Sequence, residues 1–444
     1  MAKVFPFRGY HYNIKTVGDL SLVVTQPYDQ IKEDSQREDY YSRNPFNFVR
    51  IIKGRDEPDT NLDNVYTRAG DFLSEWIRDG VLIRDNSPAL YVYHQQYEVD
   101  NETHVRKGFI PLVELKEYGS EIKAHEQTLA APKKDRFNLM LTTEANTGMI
   151  FMLYSEPERE INKALDAQIE GKEPGLIAED DFGCIHKVWA VTDGATIKKV
   201  QKLMEPLTLF IADGHHRYET AVNFKKHMEE SGKKCPADAT ECYCNCMMAL
   251  VNVDEPGLTV LPTHRLIHDL PPELIENLVS KSMQYFSIEH FPLIGDETVK
   301  SVLDAMKARQ NDEHLFALYI KGDDEIKLLS LKDESSMDDL AKGESDDFKR
   351  LDIAILHTIL LDKLLGIDKA KLEAKTNVDY LRSPYETLNK VKDDPKYQCM
   401  FLVNPTSVED VKNIASHGEK MPQKSTDFFP KLLSGMVINK IAIE

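Results

Sequence analysis

Apolar and polar positions in the first third of the chain alternate between helical and strand spacing. In VYTRAGDFLSEWIRDGVLI, Ala69, Leu73 and Trp76 recur at helical spacing, which predicts an amphipathic helix that ends near Gly80. The segments ALYVYHQQYEV and RKGFIPLVEL then alternate apolar and polar residues on either side of the polar link DNETHV, which predicts an antiparallel hairpin. Nearer the start, LSLVVTQ at residues 20–26 predicts a short strand.

The rest of the chain repeats a pattern in which an apolar strand precedes a helix. GMIFMLYSE, KVWAVTD and PLTLFIAD predict strands, and each is followed by a segment with helical spacing. Farther on, LDIAILHTILLDKLLGI predicts a strongly apolar helix, and CMFLVN predicts a strand before a helix that begins near Ser407. Together these elements predict an α+β (mixed α/β) fold.

The length of the chain predicts more than one domain. Its 444 residues exceed the roughly 250 to 300 over which one hydrophobic core grows. We expect an N-terminal α/β region with the hairpin over residues 1–120 and a central domain over 121–265. Residues 266–444 are expected to form a C-terminal α+β domain or a lid.

Charge changes this picture by restricting the partners. The chain has 74 Asp and Glu against 55 Lys and Arg, a net charge of −19, which disfavours nucleic acid and anionic membranes but allows a local basic pocket. The start MAKVFPFRGYHY lacks the apolar core of a signal peptide, and no run reaches the roughly 20 apolar residues of a membrane helix. We therefore expect a soluble, cytoplasmic protein with a small-molecule substrate and no nucleic-acid or membrane partner. A homo-oligomer stays open.

The segment IADGHHRYETA concentrates ionisable groups at a junction between secondary-structure elements. The spacing predicts a strand that ends at Ala212 and a helix that begins near Gly214. A helix N-terminus presents unpaired N–H groups and the positive end of the helix dipole, so such a turn favours anions.

Each residue of this turn fits the binding of phosphate. Gly214 allows a phosphate to approach the backbone, and Arg217 offers a planar fork for its oxygens. His215 and His216 can donate to or coordinate oxygen, and Asp213 can hold Mg²⁺ or accept a proton. Asp213, His215 and His216 are therefore candidates for catalysis as well as binding. The alternative is an Asp-Gly turn with structural histidines.

A second cluster of ionisable residues lies in KAHEQTLAAPKKDR. Glu126 can act as the general base that deprotonates a substrate hydroxyl, and Arg136 can pair with a carboxylate or phosphate. The alternative is a charged loop with a surface salt bridge.

Two later motifs supply further candidates for substrate binding. LPTHRLIHDL places His264 and Arg265 after a Pro-Thr corner, where an arginine can bind an anion or pair locally with a carboxylate. GEKMPQKST is not a phosphate-binding P-loop, because Gln423 stands where that loop needs glycine and the segment follows a helix. Lys424 and Ser425 can still reach a substrate, or belong to an exposed polar loop.

Four cysteines crowd into CPADATECYCNC, and their spacing disfavours a metal site. Zinc sites use C-x2-C or similar spacings, which this segment lacks. On a strand, Cys242, Cys244 and Cys246 would share one face and pack as small apolar side chains.

The sequence resembles a known family over nearly its whole length. The matching pieces are FPFRGY, QPYDQI, RNPFNFV, KGFIPLVEL, HEQTLAAPKKDR, ADGHHRYETA, LPTHRLI and GEKMPQKSTDFFPK. These pieces resemble the domain-of-unknown-function 1015 family. The loop DGHHR is also similar to that of the ParB and sulfiredoxin-like superfamily, to which the free-serine kinases belong.

This superfamily resemblance implies a ParB/sulfiredoxin-like central domain in which residues 213–217 hold nucleotide phosphates and metal. It does not imply sulfiredoxin chemistry, because His215 stands where sulfiredoxin has a cysteine. The leading hypothesis is a Mg²⁺-dependent phosphotransferase that uses ATP, ADP or another nucleotide and acts on a small hydroxyl compound, such as free serine. The alternatives are a ParB-type nucleotide switch and a metal-dependent phosphohydrolase.

Overall fold

The computed structural model describes residues 2–60, 62–99, 101–119, 121–124, 130–236, 239–374, 376–417, 419–422 and 424–444. Helices and strands follow one another throughout, so the predicted α+β (mixed α/β) class is confirmed. Contacts group the chain into two compact units. Unit 1 comprises the described residues up to Thr259 together with Pro430–Glu444, and unit 2 comprises Val260–Phe429. The division into three regions stays a prediction.

The strands are distributed over both units. In chain order they are Val4–Phe5 (β1), Tyr10–Tyr12 (β2), Leu82–Arg84 (β3), Leu90–Val99 (β4), Glu102–Ile110 (β5), Leu112–Glu114 (β6), Ile122–Lys123 (β7), Ala145–Asn146 (β8), Ile150–Tyr154 (β9), Leu176–Glu179 (β10), Ile185–Val191 (β11), Leu209–Asp213 (β12), Asn245–Asn252 (β13), Thr259–Val260 (β14), His264–His268 (β15), Phe286–Pro292 (β16), Leu315–Ile320 (β17), Glu325–Leu331 (β18), Val378–Leu381 (β19), Tyr397–Val403 (β20), Phe428–Phe429 (β21) and Asn439–Lys440 (β22).

The helices range from single turns to sixteen residues. In chain order they are Ile14–Val17 (α1), Asp34–Arg43 (α2), Val49–Ile52 (α3), Val65–Arg78 (α4), Ala130–Thr143 (α5), Glu160–Ile169 (α6), Gly194–Met204 (α7), His215–Glu230 (α8), Pro272–Glu276 (α9), Leu278–Ser282 (α10), Asp296–Arg309 (α11), Ser336–Leu340 (α12), Asp346–Lys349 (α13), Asp352–Ile355 (α14), Lys369–Ala374 (α15), Pro384–Asp393 (α16) and Val408–Ser416 (α17). A 3-10 turn at Leu20–Leu22 and a π-helix at Leu356–Leu364 complete them.

Unit 1 is built on a mixed sheet whose strands lie in the order β10, β11, β4, β5, β13, β9, β12 and β7. Strand β9 runs parallel to β13 and antiparallel to β12, and β12 runs parallel to β7. The core forms where apolar side chains of the central strands meet those of α8, and it includes Ile150, Met152, Ile211, Tyr218 and Ala221. This packing fixes α8 against the sheet, so the turn before α8 is rigidly placed.

The predicted hairpin is confirmed, and one predicted strand is wrong. Strands β4 and β5 pair antiparallel from Tyr91 and Ile110 to Val99 and Glu102, so most of the expected polar link belongs to β5. Residues 20–26 were expected to form a strand but begin with the 3-10 turn, because the Asp19 side chain accepts a hydrogen bond from the Ser21 N–H at 2.9 Å. A capped turn satisfies this N–H locally and competes with strand pairing.

Unit 2 has an antiparallel sheet in the order β16, β18, β17, β20, β15 and β19. Helices α11 and α16 pack on it, and their side chains Val299, Val302 and Leu388 are buried in its core. The predicted apolar helix of this unit runs as α14 and then the π-helix. Among the described residues, no helix combines the length and apolar character needed to cross a membrane.

Candidate functional site

The turn between β12 and α8 has the local structure that its sequence predicts. The strand ends at Asp213, Gly214 caps the helix, and α8 begins at His215, each within one residue of expectation. Gly214 has φ 94°, a left-handed conformation that favours glycine. A Cβ placed on Gly214 would also lie 2.9 Å from Nε of Arg217. Both the backbone angle and the available space therefore require glycine here.

The Arg217 side chain folds back over this turn. Its guanidinium donates to the Met149 carbonyl oxygen and, at 3.4 Å, to Oδ2 of Asp213. The space beside Gly214 that the sequence left for a phosphate therefore holds the Arg217 side chain. An anion at this corner would meet the guanidinium rather than the Gly214 backbone.

A cavity opens beside Arg217, and a second arginine lines it. Arg136 on α5 and Arg217 on α8 share this lining with Tyr28, Gly148 and Ser434. The cavity measures about 40 Å³, and because one water needs roughly 10 to 15 Å³ on this measure, it holds a few waters or one oxyanion. The structure thus brings together two arginines that the sequence singled out in separate motifs.

Contacts on three sides hold the Arg136 guanidinium in place. It lies 3.8 Å from the centre of the Tyr28 ring, donates through Nε to Oδ2 of Asp135 at 2.8 Å, and donates through Nη1 to the Ile52 carbonyl oxygen at 3.1 Å. Burial raises the pKa of Tyr28 from its usual value, and the charge of Arg136 opposes that shift. Tyr28 therefore stays a neutral phenol at the cavity wall.

Several cations gather around the Asp213 carboxylate. Arg217 approaches Oδ2 at 3.4 Å and Nζ of Lys431 approaches it at 3.6 Å. Arg106, which is fully buried, interacts electrostatically with Asp213, and burial lowers the pKa of Arg106 to about 10. Its Nε donates to Oε1 of Gln95 at 3.0 Å. This local excess of positive charge lies within a chain whose net charge is −19.

Lys431 and Arg106 were not among the residues predicted from the sequence. Lys431 ends the family segment GEKMPQKSTDFFPK, and that segment is the one signal that could have pointed to it. Arg106 lies on β5 among residues of ordinary strand pattern, and its sequence position gives no indication of burial.

The two histidines of the turn differ in exposure. His215 is buried, and His216 is half-buried on the first turn of α8. Burial, as the largest influence, lowers the pKa of His216 from its usual value. Within the described residues, ligand atoms of Asp213, His215 and His216 do not form a group close enough to share one metal ion. A metal ion at this turn would therefore have at most two ligands from these three residues.

The predicted general base precedes α5 in the sequence. Glu126 lies outside the described residues, so its role as general base stays a prediction. Arg136, ten positions later, lies inside them and is the member of that motif that reaches the cavity.

The remaining predicted residues belong to unit 2, where they hold main-chain segments. The Arg265 guanidinium is buried and donates to the carbonyl oxygens of Thr263 and Lys424. Nδ1 of His264 accepts from the Val403 N–H at 3.3 Å. Oγ of Ser425 donates to the carbonyl oxygen of Pro422, three residues earlier, at 2.6 Å. Their predicted contact with a substrate stays a prediction.

The sequence profile of one protein family matches residues 4–354, and that family is described as a protein of unknown function, DUF1015. The chain belongs to the DUF1015 family. The match includes Arg136, Gly214 and Arg217 and ends before Lys431. The DUF1015 region therefore contains both arginines that line the cavity.

Three solved structures similar to this DUF1015 protein are distant from it. A free serine kinase in complex with AMP is 12% identical, with 69% of this chain and 83% of that chain covered and a TM-score of 0.33. A conserved hypothetical protein from Pyrococcus furiosus is 13% identical, with 71% and 92% covered and a TM-score of 0.32. SbnI with a C-terminal truncation, from Staphylococcus aureus, is 12% identical, with 73% and 85% covered and a TM-score of 0.33. A variant of the kinase was solved with ADP. No curated protein matches the chain.

Proposed function

We propose that the cavity between Arg136 and Arg217 binds a phosphate group and that the protein is a nucleotide-dependent phosphotransferase acting on a small hydroxyl compound. The observation that carries this proposal is the convergence of two guanidinium groups, from α5 and α8, on one cavity. A guanidinium offers a planar fork of N–H donors that matches phosphate oxygens, and two of them favour a dianion over a neutral ligand.

The size of the cavity limits what enters it. About 40 Å³ accepts a single phosphate group, so the sugar and base of a nucleotide would remain outside the cavity. The polar groups of Gly148, Ser434 and Asn146 at its wall can complete the hydrogen bonds of the phosphate. Arg106 and Lys431 interact with Asp213, which Arg217 also contacts, and they add positive charge to this region.

Phosphoryl transfer depends mainly on positioning and on neutralising the charge of the transferred group. Arg136 and Arg217 would supply both, because their guanidinium groups are already fixed by contacts with carbonyl oxygens and carboxylates. We assign the deprotonation of the acceptor hydroxyl to Glu126, as the sequence predicts. Free serine is the first acceptor to test.

The residues present fit Mg²⁺ only in part. Mg²⁺ commonly binds one or two carboxylates and takes its other ligands from water and phosphates. Asp213 would be the residue that holds it, although Arg217 and Lys431 already approach its Oδ2. When bound, Mg²⁺ would add to the neutralisation of phosphate charge. The alternative of a phosphohydrolase with a metal held by Asp213, His215 and His216 has less support, because these three do not form a group that shares one ion.

Removal of either cavity arginine is expected to weaken nucleotide binding. Hydrogen bonds to charged groups contribute about 1.5 to 3 kcal/mol, so Arg217→Ala and Arg136→Ala should each weaken ATP binding by roughly 10- to 150-fold in titration calorimetry. The matched control is Arg78→Ala, because Arg78 is an exposed arginine of α4 that pairs with its neighbour Asp79. Its affinity should equal that of the wild type.

Two further measurements make the result decisive. Circular dichroism of each variant shows whether it folds, and Arg217→Lys, which keeps the charge without the planar fork, should bind more weakly than the wild type but more tightly than Arg217→Ala. Unchanged affinity in folded Arg217→Ala and Arg136→Ala would contradict the proposal. Nucleotide turnover that requires serine or another hydroxyl compound would favour a transferase, and turnover without any acceptor would favour the ParB-type switch or the phosphohydrolase.

A further inference from the structure

Three cysteine thiols meet in one cluster near the end of α8. The sulfur atoms of Cys235, Cys242 and Cys244 all lie within 4.8 Å of one another. Those of Cys235 and Cys244 are 3.2 Å apart, and neither is in a disulfide. In the described part of the chain this is the one group of three or more metal-ligating side chains with such close atoms.

The local structure explains why the sequence pattern did not predict this cluster. Strand β13 begins at Asn245, so Cys242 and Cys244 lie in the turn before it, and only Cys246 lies on the strand. The predicted single face of three cysteines at strand spacing is therefore wrong. Cys246 belongs to the sheet core and lines the cavity of unit 1, so it is not part of the cluster. Cys235 comes instead from the loop that follows α8.

The end of the chain holds both cysteine-bearing segments. Lys234, which precedes Cys235, exchanges two main-chain hydrogen bonds with Glu444, at 2.9 and 3.0 Å. Glu241, which precedes Cys242, accepts a main-chain hydrogen bond from Ala442 at 2.8 Å. The three thiols are therefore held together by backbone pairing that does not depend on any ligand. Such a preformed arrangement lowers the entropy cost of binding an ion.

The surroundings of the cluster are largely apolar and keep the thiols protonated until a metal ion displaces their protons. Cys235 and Cys244 pack against the apolar side chains Phe224, Met228 and Ile441. Burial, followed by the proximity of Cys235, raises the pKa of both Cys242 and Cys244. Neutral thiols in this setting would lose their protons to a bound metal ion, because metal binding stabilises the thiolate form.

We propose that Cys235, Cys242 and Cys244 form a binding site for Zn²⁺. Zn²⁺ prefers tetrahedral thiolate ligands at about 2.3 Å, which places the sulfur atoms roughly 3.8 Å apart. The 3.2 Å between the sulfur atoms of Cys235 and Cys244, and separations of at most 4.8 Å for the other two pairs, are compatible with this value. Three cysteines fill three positions, and the fourth is left for water or a small ligand. A bound ion would join the loop after α8 to the turn before β13.

Cobalt is the probe for this site, because Co²⁺ replaces Zn²⁺ in tetrahedral thiolate sites and absorbs visibly when thiolates bind it. The full chain, stripped with a chelator and kept reduced, is titrated with Co²⁺. We expect one ion per chain, with thiolate-to-cobalt charge-transfer absorption that Zn²⁺ abolishes on displacement. Binding should strengthen as pH rises, because the thiols must lose protons.

Cysteine variants identify the ligands. Cys235→Ser, in a half-exposed loop, should weaken Co²⁺ binding at least about 100-fold, since even changes outside the first ligand sphere cost about 10- to 100-fold. Cys244→Ser is the second variant in case the first misfolds. Cys399→Ala, a buried cysteine of unit 2, is the control and should bind like the wild type. Reduced wild type that takes up no Co²⁺, or equal uptake by the wild type and both serine variants, would overturn the proposal.

Discussion

At the scale of single residues, the arrangement of Gly214 and Arg217 is what makes the candidate site specific. Gly214 adopts a left-handed conformation that favours glycine and, without a Cβ, leaves space for the Arg217 side chain to fold back. Arg217 can therefore reach both the Asp213 carboxylate and the cavity. The same two residues thus determine both the local fold and the charge at the cavity wall.

Gly214→Ala should destabilise the protein and weaken nucleotide binding. A left-handed residue with a Cβ costs roughly 1 to 2 kcal/mol, and this Cβ would also displace the Arg217 guanidinium. The control is Gly232→Ala, because Gly232 has φ 73° with nothing within 4 Å of its Cβ position. Urea unfolding should show a lower free energy of unfolding in both variants, with the larger decrease in Gly214→Ala. Calorimetry should show weaker ATP binding in Gly214→Ala alone, and equal binding in both variants would contradict this account of Arg217.

His264 should make the stability of the protein depend on pH. Burial, together with the charge of Arg265, lowers the pKa of His264 to about 3, whereas an unfolded histidine has a pKa of about 6.5. The unfolded chain therefore takes up a proton at this site first. The contribution of neutral His264 to the free energy of unfolding is fully present above about pH 6.5. Between this pH and about pH 3 it falls by at most about 1.4 kcal/mol for each unit that the pH drops.

The comparison that tests this is between wild type and His264→Asn in urea unfolding from pH 7 to pH 4.5. Wild type should lose up to about 2.5 kcal/mol more of its free energy of unfolding than the variant over that range. His290→Asn is the control, because His290 is an exposed histidine of the same unit, and it should follow the wild type. Identical pH dependence in wild type and His264→Asn would show that His264 does not remain neutral in the fold.

At the scale of secondary-structure elements, the last fifteen residues hold unit 1 together. Ser434, Ile438 and Ala442 make main-chain hydrogen bonds with Thr25, Tyr10 and Glu241 respectively. The same segment buries a set of apolar side chains, namely Leu432, Leu433, Met436, Val437, Ile438 and Ile441. It also brings Lys431 to Asp213. A segment at the end of the sequence thus completes the core and the site of a unit that begins at the other end.

A chain that ends at Phe429 should fail to fold unit 1. Burial of one large apolar side chain contributes about 1.5 to 3 kcal/mol, and the six that this deletion removes together match the 5 to 15 kcal/mol of a typical domain. Near-ultraviolet circular dichroism should show loss of tertiary structure, and ATP binding should be absent. A chain that lacks only Glu444 should remain folded, because it loses just two main-chain hydrogen bonds. Cooperative unfolding of the longer deletion at the wild-type urea concentration would contradict the prediction.

Elements with strong local patterns were predictable from the sequence. Helix α4, the β4–β5 hairpin and the β12–α8 junction follow from the spacing of their own apolar residues. The strand expected at residues 20–26 fails because one side chain, Asp19, caps a turn and overrides an apolar run. Contacts between residues far apart in the sequence could not be predicted in this way. Lys431, which approaches Asp213, is 218 positions away from it, and no local pattern relates the two residues.

At the scale of the whole molecule, the acidic net charge of the chain contrasts with a local group of cations in unit 1. A net charge of −19 repels polyanions, yet Arg106, Arg136, Arg217 and Lys431 provide positive charge in unit 1. The small-molecule partner expected from composition stays a prediction. The composition indicated that such a pocket was allowed, but only the fold shows which four cations are involved.

The position of a nucleotide in a crystal of the wild-type protein tests the central claim most directly. Crystals would be grown or soaked with a non-hydrolysable ATP analogue and Mg²⁺. We predict that the terminal phosphate oxygens lie within about 2.7 to 2.9 Å of guanidinium nitrogens of both Arg136 and Arg217. A nucleotide bound with its phosphates away from these two arginines, or a cavity that stays free of phosphate at saturating nucleotide, would contradict the account.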